Sequence, residues 1–308
     1  MAKLKKYGRF ILTLILVIVI SGCTPVDPNE HAKITAESYL RSSSFSYSGL
    51  VRQLEYEGFT KEQAIYGVDN SGADWNEQAK LSAKGYLRSS AFSYSGLVSQ
   101  LEYEGFTKEQ ATYGVDISGA DWNEQAKLSA KGYLRSSAFS YSGLVSQLEY
   151  EGFTKEQATY GVDNGGADWN EQAKLSAQGY LRSSSFSYKG LYDQLRYEGF
   201  TKEQSSFGVD NIVVDWNEQA RLKAENYLRS MPFSYKGLFN QLRYEGFTQS
   251  QSTYGVDNVD ADWNEQAKLK AEDYQRVFNY TRKQMITQLE YEGFTRKQAE
   301  YAVNEIGL

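Results

Sequence analysis

The chain has 308 residues, with 33 basic against 39 acidic side chains, net −6, and only three prolines, one histidine and one cysteine. An acidic surface repels phosphate backbones, which argues against nucleic acid as a partner and leaves a basic protein open. One cysteine excludes an internal disulfide. With a single histidine, no Cys–His, Ser–His–Asp or metal-ligand cluster can be assembled, so no catalytic residue, metal, cofactor or small-molecule substrate is expected.

Residues 1–22 read as a targeting segment. Lys3, Lys5, Lys6 and Arg9 precede an apolar run of 11, Phe10 to Ile20. That run is short of the ~20 residues a membrane-spanning helix needs. It ends in Ile20-Ser21-Gly22-Cys23, which resembles the bacterial lipobox. By that resemblance Cys23 receives a diacylglycerol and becomes the mature N-terminus, anchored on the outer face of the cytoplasmic membrane. The alternative is an ordinary signal peptide that happens to end at a cysteine. Loss of the four leader cations takes the net charge from −6 to −10. Residues 23–26 form a short link of roughly 10 Å, so the first folded unit is expected to lie against the membrane.

From Asp27 onward the chain repeats itself every 47 residues, as units 27–73, 74–120, 121–167, 168–214, 215–261 and 262–308. Residues 71–116 are identical to 118–163, the mark of recent duplication. A single 47-residue unit is small for an independent core, and stacking on neighbours is the usual remedy. Length and period together predict an all-α tandem array of six three-helix units.

Each copy carries three sets of helix signals. The first helix opens at Asp74-Trp75-Asn76-Glu77, with Asp74 as N-cap and Glu77 placed for a capping box, and continues through Ala79, Ala83, Tyr86 and Leu87 to Arg88. The second starts at Ser46, with Phe45 and Leu50 as a hydrophobic staple, and ends at Gly58. The third follows at once, with Thr60 as N-cap and Gln63 as its partner, and is expected to stop near Gly67. The last two helices form a helix-turn-helix-like pair. Tryptophans at 75, 122, 169, 216 and 263 open units two to six, whereas unit one has Pro28. Five indoles for five junctions predict that each packs on the preceding unit. The alternative is packing within its own unit.

The remaining features read mostly as folding. His31 is expected on an exposed helix position. Gly49 and its counterparts suit close helix packing, yet Gln284 takes that place in the last unit. Tyr39, Tyr47, Tyr56, Tyr66 and their mates fall at helical spacing and are expected mainly in packing. Glu57, Glu104, Glu151, Glu198, Glu245 and Glu292 are less easily placed, because an anion in the last turn of a helix is disfavoured by ~0.3–1 kcal/mol. They read either as local salt bridges, with Lys61 or Arg41 in the first unit, or as a repeated acidic contact surface for a basic partner.

The run Ala79…Tyr86-Leu87…Phe92-Ser93-Tyr94-Ser95-Gly96-Leu97…Gln100-Leu101…Glu104-Gly105-Phe106-Thr107…Gln110-Ala111…Tyr113-Gly114-Val115-Asp116, followed by Asp121-Trp122, resembles the repeat of the Ltp-type host cell surface-exposed lipoproteins. The likeness covers nearly the whole chain. It implies a Gram-positive surface lipoprotein with repeated helix-turn-helix units. It further implies a role in superinfection exclusion, in which the protein engages the tape measure protein of an infecting phage and blocks DNA entry at the cytoplasmic membrane. A surface adhesion or envelope scaffold is the alternative function.

Overall fold

A computed structural model describes residues 27–308. The targeting segment 1–22 and Cys23 lie outside them. The described residues form eighteen α-helices and no strand, three helices to each 47-residue repeat. They divide into two compact units: one runs to Gly85 and adds Val98–Gly119, and the other joins Tyr86–Leu97 to Ala120–Leu308.

The first repeat shows how the sequence sets each helix: α1 (Pro28–Ser42), α2 (Tyr47–Tyr56) and α3 (Lys61–Asp69). Asp27 caps α1 through the Asn29 N–H, and Pro28 occupies the first turn, where its missing donor is harmless. In repeats three to six the capping Asp accepts from two backbone N–H groups, as Asp121 does from Asn123 and Glu124. The expected capping box of this helix does not close. Lys127 captures the Glu124 carboxylate at 3.0 Å, one turn on, so it cannot reach back to the cap.

The turn between the second and third helices is built as read. Gly58 has φ +99°, a conformation that penalises any residue with a Cβ. The Gly58 and Phe59 N–H groups donate to the Glu55 and Leu54 carbonyls, a Schellman closure that satisfies the helix end. Thr60 and Gln63 then cap each other reciprocally, and the same box closes at the third helix of all six repeats. That helix does not stop at Gly67 but runs on to Asp69. Gly67 is an interior packing residue: a Cβ there would sit 2.6 Å from the Ala32 carbonyl carbon. The glycine lets the third helix touch the backbone of the first.

The first repeat and the third to sixth each close a small core of their own. In the third it comprises Ala126, Ala130, Leu144, Leu148, Phe153, Ala158 and Val162, with Leu144 and Leu148 wholly buried. Alanines on the outer helices bring the backbones close, and the two leucines of the middle helix fill the gap. Truncating either leucine to Ala is expected to cost about 3 kcal/mol.

Neighbouring repeats within a unit join end to end through their second helices. The N-cap Ser46 accepts from the Gly49 N–H and donates to the Glu104 carbonyl, at 2.7 Å, on the C-terminus of the next repeat's second helix. Ser187 and Ser234 do the same to Glu245 and Glu292, at 2.6 and 2.7 Å. A hydroxyl can give and take at once, which a capping carboxylate cannot. One side chain therefore satisfies an orphan donor on one helix and an orphan acceptor on another, and the helix dipoles align head to tail.

Two further contacts complete the junction. Gln78 Oε1 accepts from the Phe45 N–H, and Gln172 Oε1 from the Phe139 N–H. Each indole meets a tyrosine of the preceding repeat edge to face, as Trp75 does Tyr47 and Trp169 does Tyr141, at ring distances of 5.4 Å. Trp75, Trp169, Trp216 and Trp263 also pack against the preceding repeat's core.

Candidate partner-binding surface

The six glutamates singled out in the sequence lie where the second helix ends, and five of them serve directly as its C-cap. Neither Lys61 nor Arg41 pairs with Glu57; Arg41 faces Glu37 at 3.9 Å. Instead Tyr39, on the first helix of the same repeat, donates its hydroxyl to Glu57 at 2.5 Å, while Gln53 donates to that hydroxyl at 3.2 Å. The same Gln–Tyr–Glu chain recurs in repeats three to six, as Gln147–Tyr133–Glu151, Gln194–Tyr180–Glu198, Gln241–Tyr227–Glu245 and Gln288–Tyr274–Glu292. A phenol donor inside the repeat is what lets a carboxylate stand at the unfavourable end of a helix. Burial first, and the adjoining carboxylate second, push Tyr133, Tyr227 and Tyr274 up to about 12.

The second carboxylate oxygen is served differently along the chain. Ser82, Ser129 and Ser176 donate to Glu104, Glu151 and Glu198 at 3.1, 2.8 and 3.1 Å. In repeats five and six lysines stand there, with Lys223 3.1 Å from Glu245 and Lys270 3.7 Å from Glu292. Burial raises Glu198 above the usual carboxylate range, and the Ser176 bond only softens that. Burial also presses Glu245 upward, but Tyr227 and Lys223 together outweigh it and hold Glu245 below the usual range.

The tyrosines divide by task. Tyr39 serves Glu57; Tyr47 donates to Asp69 at 2.8 Å and meets Trp75; Tyr66 donates to Glu30 at 3.3 Å. Tyr56, expected in packing, is instead 86% exposed. It follows Leu54 by two positions and so falls off the buried face of its helix.

No group of three or more His, Cys, Asp or Glu among the described residues is placed to hold a metal. His31 is exposed, its ring edge-on to Phe59. No described helix is long and apolar enough to cross a membrane. A shallow groove between the third and fourth repeats is lined by Leu134, Arg135, Leu175, Gly179, Tyr180 and Glu198, among others.

No curated protein and no solved structure matches the chain. Six successive segments, residues 27–70, 74–117, 121–164, 168–212, 215–259 and 262–306, match the family described as host cell surface-exposed lipoprotein. With one match to every repeat and most of the sequence covered, the chain belongs to the host cell surface-exposed lipoprotein family.

Proposed function

We propose that this protein is a non-enzymatic binding array, anchored through a diacylglycerol on Cys23 at the outer face of a Gram-positive cytoplasmic membrane. Its role is superinfection exclusion: it engages the tape measure protein of an infecting phage and blocks passage of phage DNA. The observation that carries this reading is a surface-lipoprotein repeat multiplied six times on an acidic chain. Similar repeats offer similar contacts, which suits a long partner met at several points better than a substrate turned over at one. The glutamates 57, 104, 151, 198, 245 and 292, at the ends of the second helices, lend the surface its negative sign. Their hydrogen bonds from half-buried tyrosines fit a contact surface and supply no nucleophile.

The test expresses the protein in a phage-sensitive host and challenges it with tailed phages. Normal adsorption with blocked DNA entry is the expected result. Unchanged DNA entry across a broad phage panel would overturn exclusion and leave surface adhesion or an envelope scaffold as the function. Replacing Cys23 with Ala removes the anchor and is expected to release the protein and abolish exclusion.

A further inference from the structure

One tyrosine in each repeat has no folding task. Tyr56, Tyr103, Tyr150, Tyr197, Tyr244 and Tyr291 are between 85% and 88% exposed, each in the last turn of a second helix. Among the described residues their side chains make no hydrogen bond and no ring contact. A phenol in water at that place adds nothing to the helix, since tyrosine is only a middling helix former.

The first and sixth repeats make the point by their divergence. Their second helices read Tyr-Ser-Gly-Leu-Val-Arg-Gln-Leu-Glu-Tyr and Arg-Lys-Gln-Met-Ile-Thr-Gln-Leu-Glu-Tyr, and share only the last four residues. Gln53 and Gln288 hold the buried tyrosine hydroxyls, and Leu54 and Leu289 are wholly buried. Folding accounts for those two. It does not account for the exposed pairs Glu55-Tyr56 and Glu290-Tyr291.

The surroundings of the rings state what they would receive. In repeats one to three and six an exposed glutamate precedes the ring (Glu55, Glu102, Glu149, Glu290), with Glu290 partly answered by Arg296 at 3.5 Å. In repeats four and five the preceding residues are Arg196 and Arg243, and their guanidinium groups donate to the Phe200 and Phe247 carbonyls. An open ring face beside a carboxylate suits a cation. Exposed tyrosine is also the residue type most often found at the energetic centre of protein contacts.

Spacing decides the size of the partner. The second helices follow one another end to end within each unit, and a ten-residue helix is ~15 Å long, so the rings recur roughly every 15–20 Å. No small ligand spans that distance, whereas a polypeptide crosses it easily. We propose that the exposed tyrosines of each unit form a multivalent contact surface for a basic polypeptide, whose lysine and arginine side chains lie over the rings beside the neighbouring glutamates. The proposal rests on the protein-binding reading above and names the surface and the charge of the partner.

The test uses the full lipid-anchored protein in detergent micelles, with poly-L-lysine as the probe. Replacing all six residues with Ser leaves the net charge unchanged and, at such exposure, the fold intact, which circular dichroism verifies. The Tyr→Ser set is expected to weaken poly-L-lysine binding about tenfold, while the matching Tyr→Phe set stays within about twofold of the parent. Equal binding by the Ser set would overturn the proposal, because net charge alone would then explain the affinity. Tyrosine-dependent binding to purified peptidoglycan, with none to poly-L-lysine, would also overturn it by making the occupant a glycan. The peptide assay involves no phage, so a negative phage challenge bears on the exclusion role and leaves this surface to be judged separately.

Discussion

The third and fourth repeats and the fifth and sixth share one backbone plan but answer the same electrostatic problem differently. All four place a half-buried glutamate under a tyrosine hydroxyl. In the third and fourth a serine takes the second oxygen; in the fifth and sixth a lysine does. For Glu198 and Glu245 the consequence is opposite in sign. Burial raises Glu198, whereas Glu245, equally pressed by burial, is pulled below the usual range by Tyr227 and Lys223. The shared Tyr–Glu bond therefore belongs to the fold. The charge beneath it is adjustable from repeat to repeat.

A larger effect is expected from a different contrast between the same regions. The sixth repeat carries Ala302 where the others have glycine against the first helix, as Gly161 is against Ala126. Moving that alanine into the third repeat, as Gly161→Ala, places a Cβ 2.6 Å from the Ala126 carbonyl carbon. A loss of about 2 kcal/mol is expected, localised to the third repeat by amide exchange. Unaltered exchange there would mean that the helices separate freely.

Lys223→Met tests the adjustable charge directly. It leaves Glu245 with its burial and without its cation, at a site about a third exposed, so a loss of about 1 kcal/mol is expected after allowing for solvent screening. The Glu245 carboxyl titration, followed by NMR, should move upward. Ser176→Lys should do the reverse at Glu198. The pH dependence follows from the signs. Glu245 contributes stability above its ordinary pKa and loses it as pH falls through the lowered value. Glu198 contributes below its ordinary pKa and loses that as pH rises through the raised one.

A further substitution sharpens the contrast through the core. Ser205 and Ser252 stand where the third repeat has Ala158; both are wholly buried, and their hydroxyls have no hydrogen-bond partner. Ser252→Ala is expected to stabilise the fifth repeat by about 1 kcal/mol, read as slower amide exchange. The smallest effect is common to both regions. Because Tyr133 and Tyr227 are raised to about 12, their contribution is complete below pH ~10 and lost as pH rises through 12. Absorbance at alkaline pH should show tyrosines titrating near that value, and Tyr→Phe at 133, 227 and 274 should remove them.

Much of the fold was legible in the sequence because it is written in local signals. The 47-residue step, the Thr60–Gln63 box and Gly58 each act within a few residues, and the structure has three helices per repeat at those places. Gly67 misled because glycine ends helices and also lets them touch, and only the Ala32 backbone tells the two apart. Tyr56 misled because a ten-residue helix gives too few turns to fix which face a terminal aromatic takes. The second bond of Ser46 could not be read at all: its partner, the Glu104 carbonyl, lies 58 residues away and belongs to the main chain, which carries no residue signature. The contact surface is a proposal, and the sequence drew attention to only part of it. The glutamates stood out, but the exposed rings beside them did not.

The end-to-end junction has one more consequence. A head-to-tail contact is polar and does not close on itself, so in principle it propagates without limit and assembles chains into filaments. The two outer repeats interrupt that. The first offers Pro28 and His31 where an incoming neighbour would need the indole and the glutamine. The sixth carries Gln284 where Gly49 leaves room for the next Glu carbonyl, 3.4 Å from a Cβ at that place, and it closes its own capping box instead. The groups that join repeats within each unit are thus replaced in the first repeat and in the sixth.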